Sequence, residues 1–176
     1  MTGYGIESML RGETTMNAVP PRERWFDDYK AGETLEFGDH TVGETEIIAF
    51  ARQFDPQPFH VDLEVAARSP FGGLIASGWH TGSLMMRMMV DHFVSPRASL
   101  GSPGLDEIRW LQPVRPGDRL RVRLTITGTR RSTARPDRGT IDQLVEVLNQ
   151  RNEVVMSCRG KGIYRCRPEK DNNLRW

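Results

Sequence analysis

An aspartate and a histidine stand five positions apart in the stretch FDPQPFH, residues 54–60, with a proline on either side of Gln57 between them. A carboxylate and an imidazole are side chains that commonly act as general acids and bases. The two prolines fix two of the intervening φ angles, so little conformational freedom is lost when the pair is held together. The spacing predicts an acid–base pair, Asp55 and His60, on a stiff connection.

The segment before this pair, TVGETEIIAFARQF, predicts a helix over about 44–54. Thr41 and Gly43 are both possible caps, each with a glutamate three residues later, and apolar residues follow at helical spacing. Because a residue before proline avoids the α region, the helix is expected to end at Asp55. The partial negative charge of a helix C-terminus is expected to raise the pKa of this carboxyl group and make it a stronger base.

Two other interpretations of the pair stay open on spacing alone. Aspartate near a helix end and histidine in a turn are common surface residues, and the spacing by itself favours that interpretation. His60 and Asp62 are also possible metal ligands, but two ligands without a partner cluster do not predict a metal site. We therefore expect no bound metal.

A second segment, FGGLIASGWHT, brings glycines to the start of the longest helical pattern, which runs from Ser77 to about Val94. A helix N-terminus offers unpaired N–H groups and partial positive charge, which suits a developing oxyanion. Gly78 has no Cβ and lets a substrate approach the backbone. A base beside one helix end and an oxyanion site at another suit proton transfer next to a thioester carbonyl. The alternative, compatible with the first, is that the glycines allow close packing of the helix on a sheet.

Further candidate substrate contacts lie near these two segments. They are Gln57, Ser77, which is equally a possible helix cap, Trp79, and Met85 from a methionine stripe that otherwise predicts core. Pattern alone assigns Trp79 and Trp110 to packing. The arginines of the segment GTRRSTARPDRG are expected at a solvated hairpin tip, with contact to the phosphates of a substrate as the alternative; they are Arg130, Arg131, Arg135 and Arg138.

The second half of the chain predicts a sheet. A short strand near 33–38 is followed, after the helices, by four strand-like segments joined by turns such as PVRPGD. One strand alternates apolar and basic residues, with Leu120, Val122, Leu124 and Ile126 on one face. Antiparallel strands with one solvated face and a long buried helix predict an α+β fold.

Composition sets the remaining expectations. The 176 residues are 38% hydrophobic and 27% charged, which fits one globular domain over 23–167 with a flexible arm at 1–22 and a tail at 168–176. A formal charge of +1 and no apolar run of membrane length argue against nucleic-acid and membrane partners. The two cysteines, Cys158 and Cys166, are expected to be free thiols in the cytoplasm.

The order and separation of these segments resemble the MaoC-like dehydratases, the group that contains the R-specific enoyl-CoA hydratases. The resemblance covers roughly residues 25–165. The family signature is an Asp-x-Asn-Pro-x-His bracket, a glycine that starts a central helix, and a Pro-Val-x-Pro-Gly-Asp turn. It is matched at Asp55, Pro58, His60, Gly78 and Pro113 to Asp118. The chain departs from it at Gln57, where the family usually carries asparagine.

The resemblance implies a hot-dog fold, in which a curved antiparallel sheet wraps a long helix, and a homodimer or dimer of dimers. It implies that Asp55 and His60 activate the water that adds to a trans-2-enoyl-CoA, giving (R)-3-hydroxyacyl-CoA, while the Gly78 N–H polarises the thioester carbonyl. Coenzyme A would enter as part of the substrate, with no other cofactor. The alternatives are an acyl-CoA thioesterase on the same fold and a non-catalytic acyl-thioester-binding protein.

Overall fold

The computed structural model describes residues 19–168, which form one sheet with four helices and two short 3₁₀ turns. The helices are α1 (Glu44–Phe54), α2 (Pro58–Val61), α3 (Leu63–Arg68) and α4 (Gly78–His92). The strands are β1 (Thr34–Thr41), β2 (Leu105–Trp110), β3 (Arg119–Arg131), β4 (Arg138–Leu148) and β5 (Val154–Arg165). The 3₁₀ turns are Pro21–Glu23 and Phe26–Asp28.

The sheet is antiparallel throughout, in the order β1-β3-β4-β5-β2. The apolar face of β3 is completely buried, as its alternation predicts, and it meets the methionines of α4 in one core. Gly38 shows how closely α4 lies on β1. Its φ of +82° disfavours other residues, and a Cβ there would stand 2.5 Å from Met88 Sδ. An antiparallel sheet packed around a central helix is the α+β hot-dog fold that the resemblance implies.

The predicted elements agree with the structure in kind and differ at their limits. The helix over 44–54 is confirmed, and the strand expected near 33–38 extends to Thr41. The long helix is buried on only one side, because Trp79, Met86 and Val90 are exposed. The PVRPGD turn is confirmed, since the Asp118 carboxylate accepts a hydrogen bond from the Arg115 N–H at 2.8 Å.

The chain ends lie mainly outside the described residues. The predicted arm at 1–22 and tail at 168–176 fall there, except for residues 19–22 and Pro168. Cys158 is buried, Cys166 is partly exposed, and both are free thiols. Within residues 19–168, no helix combines the length and apolar character that a membrane span requires.

Candidate active site

Three helix ends bring the predicted acid–base pair together. Asp55 directly follows α1, His60 lies in the single turn of α2, and Ser77 caps α4. His60 Nε2 stands 3.5 Å from Asp55 Oδ2, and the Ser77 hydroxyl donates to the same oxygen at 2.6 Å. Pro58 begins α2, a position where its missing N–H is not needed, so the stiff connection becomes a helical turn and not an extended loop.

Asp55 accepts hydrogen bonds on both carboxylate oxygens. Ser77 donates to Oδ2, and the side-chain amide of Gln57 donates to Oδ1 at 2.8 Å. The Ser77 hydroxyl, with a smaller contribution from Gln57, holds the pKa of Asp55 below its usual value, against the opposing effect of burial. The expectation that the end of α1 raises this pKa is therefore wrong, because direct donors outweigh the helix dipole. Asp55 is an ionised carboxylate at neutral pH.

His60 is held in one orientation by the backbone. The side chain is buried, and Nδ1 lies 2.8 Å from the carbonyl oxygen of Ile75. A carbonyl only accepts, so Nδ1 carries a proton. The other ring nitrogen, Nε2, faces Asp55. The next residue, Ala76, donates its N–H to Val114 O at 2.8 Å, which ties this segment to the chain after β2.

Gly78 stands at the first turn of α4 with its N–H unengaged. Among residues 19–168 this N–H has no acceptor, whereas the Trp79 N–H is capped by the Ser77 hydroxyl at 3.2 Å. A Cβ on Gly78 would lie 2.4 Å from the indole of Trp110. Close packing therefore requires glycine here, and the same glycine leaves a free donor at the positive end of a helix.

These groups line one end of a cavity of about 500 Å³. Asp55, Gln57, His60 and Gly78 form the polar end, and the other walls are mainly apolar. The apolar walls include Phe59, Phe71, Trp79, Trp110, Leu111 and Val155. An apolar pocket with a few converging polar groups is the usual form of a small-molecule site. The cavity therefore places an acid–base pair next to an apolar surface that a ligand can contact.

Two residues predicted to contact the substrate, Ser77 and Met85, do not line the cavity. Ser77 is completely buried behind the cavity and acts on it through Asp55. Met85 lies in the core, with its sulfur 3.8 Å from Cys158 Sγ, and does not line the cavity. Asp62, a possible metal ligand by sequence, accepts from the Glu64 and Val65 N–H groups and caps α3. Met85 and Asp62 therefore have structural roles.

Trp110 is the cavity residue that sequence reasoning placed elsewhere. Pattern alone assigns it to packing, but it is the last residue of β2 and lines the cavity beside Trp79. The strand offers no alternation that would show this, since β2 is an edge strand whose end residues are exposed. The nearest sequence signal is the PVRPGD turn of the family signature, which begins three residues after Trp110.

The hairpin arginines lie at the opposite end of the sheet. β5 begins beside Leu111, next to the cavity, and its far end lies beside Asp137 in the hairpin. Arg131 bonds Asp27, and Arg138 bonds Asp137. These contacts favour the solvated hairpin tip over a contact with the phosphates of a substrate in the same subunit.

Replacing Ser77 should raise the pKa of Asp55. Ser77→Ala also removes the cap of α4, which costs about 1 kcal/mol of stability. Ser77→Gly costs only about a few tenths of a kcal/mol, because glycine is itself accepted at this position. Both variants lose the hydroxyl that donates to Asp55. A ¹³C-carboxyl NMR titration should show Asp55 titrating at higher pH in both.

The effect on stability has a defined sign. A folded pKa below the unfolded value of about 3.9 contributes stability that is present above that pH and is lost as the pH falls through the folded value. The wild type should therefore be more stable than the Ser77 variants at pH 7, and the part of this difference that is due to Asp55 should vanish in acid. Ser83→Ala is the control, because within residues 19–168 the Ser83 hydroxyl bonds only the Trp79 carbonyl. An unchanged Asp55 titration in both Ser77 variants would contradict the assignment.

Known proteins of similar sequence and fold match most of this chain. A solved MaoC-like dehydratase from Rhodospirillum rubrum is 41% identical, with a TM-score of 0.77, over 83% of this chain and 99% of that one. The 3-hydroxyacyl-thioester dehydratase Z of Mycobacterium tuberculosis is 32% identical over 66% of this chain and 80% of its own length.

The protein MaoC of Klebsiella aerogenes is 27% identical over 92% of this chain, which spans only 47% of that longer protein. The family model described as MaoC like domain matches residues 28–147, a range that includes the acid–base pair, the start of α4 and most of the sheet. The chain belongs to the MaoC-like dehydratase family.

Proposed function

We propose that this protein is a hydratase/dehydratase that adds water reversibly to a trans-2-enoyl-CoA, giving (R)-3-hydroxyacyl-CoA. One observation carries the proposal. The Asp55 carboxylate and the Nε2 atom of His60 lie 3.5 Å apart at the polar end of an apolar cavity, beside the free N–H of Gly78. Hydration of a conjugated thioester needs these two functions, a proton acceptor for water and a donor for the carbonyl.

The acid–base pair suits a water molecule. Asp55 is ionised, and in this proposal the His60 ring is neutral with its proton on Nδ1, so the two facing groups are both acceptors. A water beside them can donate one proton to each, which orients its lone pair toward the cavity. In hydration the water oxygen bonds to C3 of the enoyl group as the pair takes a proton, and the pair returns a proton to the α-carbon. Dehydration runs the same steps backward.

The Gly78 N–H supplies the matching donor. As water bonds to C3, the π electrons of the enoyl group move toward the thioester oxygen, which gains negative charge. The first N–H of a 15-residue helix is an unpaired donor at the positive end of the helix dipole. A fixed donor aimed at developing charge lowers the barrier without reorganisation. In this proposal Gly78 acts through its backbone.

The cavity walls and the relatives both support this substrate class. The apolar lining fits an acyl chain, and a relative of 32% identity is named for 3-hydroxyacyl-thioester dehydration. We propose that coenzyme A enters as part of the substrate, since the chemistry uses only groups of the chain. The two free thiols suit a reducing compartment, and we place the activity in the cytoplasm.

Turnover of crotonyl-CoA and of a longer trans-2-enoyl-CoA tests the proposal. Loss of the absorbance of the conjugated thioester, with (R)-3-hydroxyacyl-CoA as product, is the expected result. Failure to act on either substrate, by folded protein at micromolar concentration, would contradict it.

A homodimer, or a dimer of dimers, is the expected assembly. β2 is an open edge of the sheet, and the exposed side of α4 carries Trp79, Met86 and Val90. Pairing two copies would cover this edge and these apolar groups, and would shield the cavity from bulk water. Sedimentation at micromolar concentration should give twice the 20.0 kDa chain mass or a higher even multiple. A fully active monomer would contradict the shared pocket.

A further inference from the structure

The indole of Trp110 lies directly against Gly78. A Cβ built on Gly78 would stand 2.4 Å from both Nε1 and Cε2 of Trp110, and 2.8 Å from Cδ1. With a carbon–carbon bond of about 1.5 Å, Nε1 of the indole therefore lies within about 4 Å of the Gly78 Cα. The three similar distances put that Cβ position over the face of the pyrrole ring, and Nε1 is one of the two ring atoms nearest to it.

The indole N–H and the Gly78 N–H are both unengaged. Neither has an acceptor among residues 19–168, and both residues line the cavity. An indole nitrogen can only donate, and a tryptophan N–H close to a buried site usually finds a partner. Trp110 is 46% exposed, which leaves its N–H open to solvent when no ligand is bound. A ligand oxygen bound at Gly78 would replace that solvent.

We propose, on the basis of the proposed function, that Trp110 Nε1–H is a second donor to the thioester oxygen beside the Gly78 N–H. Sites that stabilise an oxyanion commonly use more than one donor, because each adds to the stabilisation of the developing charge. The proposal explains why α4 begins with glycine against this ring: a side chain would push the second donor away from the first. Trp110 is then a catalytic residue supplied by the edge strand.

Packing alone is the competing explanation. Trp110 also contacts Trp79 edge to face, with the ring centroids 5.3 Å apart, and could serve only as an apolar wall. The two explanations differ in the role of one hydrogen atom. Trp110→Phe keeps an aromatic wall and removes the N–H. Site-specific replacement of Trp110 by its benzothiophene analogue removes the N–H and keeps the shape of the indole almost unchanged.

The test measures kcat, KM and the carbonyl stretch of a bound thioester. For both variants we expect kcat on crotonyl-CoA to fall by about 10²-fold with KM little changed, because the donor acts mainly on the charged transition state. The carbonyl stretch of bound ¹³C-labelled butyryl-CoA, a saturated thioester that cannot be hydrated, should move to higher frequency. Trp25→Phe, at the far end of the sheet, should leave all three quantities unchanged.

The outcomes separate this inference from the proposed function. Wild-type values of kcat and carbonyl stretch in the benzothiophene variant would overturn the donor role of Trp110 and leave the hydratase intact. The carbonyl stretch of bound butyryl-CoA could differ between the wild type and the Trp110 variants while the wild type hydrates no enoyl-CoA. That result would support the donor role of Trp110 and refute the hydratase function. A protein that neither hydrates crotonyl-CoA nor binds butyryl-CoA would refute both.

Discussion

Replacement of Asp55 by asparagine is expected to lower kcat by about 10²- to 10⁴-fold while the fold and substrate binding persist. Asparagine has nearly the same shape and can still accept from Ser77, which donates to Asp55 at 2.6 Å, but it has no charge with which to take a proton. Steady-state hydration of crotonyl-CoA, together with the melting temperature, checks both parts. Asp62→Asn is the matched control, because Asp62 caps α3 and asparagine caps equally well.

His60→Ala should reduce kcat to a similar extent. This change also leaves the Ile75 carbonyl without its buried donor, so we expect a loss of stability of roughly 1–3 kcal/mol as well. The double variant should lose much less activity than the product of the two single losses, since the pair acts as a unit. A single variant with a hydration rate near that of the wild type would remove the pair from the mechanism.

Gly78→Val is expected to abolish turnover. A Cβ alone would overlap the Trp110 indole at 2.4 Å, and valine adds two methyl groups to that overlap. Because Trp110 is half exposed, its ring can swing outward, so we expect the cavity to be lost while the fold persists. Gly78→Ala should show a smaller effect in the same direction. Hydration rates and melting temperatures of both variants provide the measurement.

A second glycine in α4 provides the control. Gly82 lies one turn further along the helix, and a Cβ there would be 3.7 Å from Met156 Cε, an ordinary contact. Gly82→Ala should therefore keep its activity and gain up to about 1 kcal/mol of stability from helix propensity. If Gly78→Val unfolds in step with its loss of activity, the glycine serves packing and the donor role has no support from this variant.

The sequence predicted the elements better than it predicted the contacts between them. The alternation in β3 and the proline after Asp55 are local signals, and both the strand and the helix end lie where they indicate. The Ser77–Asp55 hydrogen bond joins residues 22 positions apart, and no local signal indicates it. The prediction that the pKa of Asp55 is raised was wrong for this reason. A helix dipole can be inferred from sequence, but a specific hydroxyl donor cannot.

Gln57 shows how a departure from a family pattern is resolved by geometry. By sequence, the longer side chain in place of the usual asparagine has three possible partners: the water, the acid–base pair and the substrate. In the structure its amide donates to Asp55 Oδ1 at 2.8 Å while the side chain also lines the cavity. Trp110 illustrates the same limit, because its contact with Gly78 depends on how β2 meets α4. Such contacts arise from tertiary packing.

The most direct test of the central claim follows two signals in one reaction of wild-type protein with crotonyl-CoA. Hydration removes the conjugated absorbance and keeps the thioester intact, whereas a thioesterase releases a free thiol that a thiol reagent detects. We predict loss of the conjugated absorbance with no thiol release, and loss of this activity in Asp55→Asn. Thiol release in step with substrate loss, or unchanged absorbance with folded protein, would contradict the account.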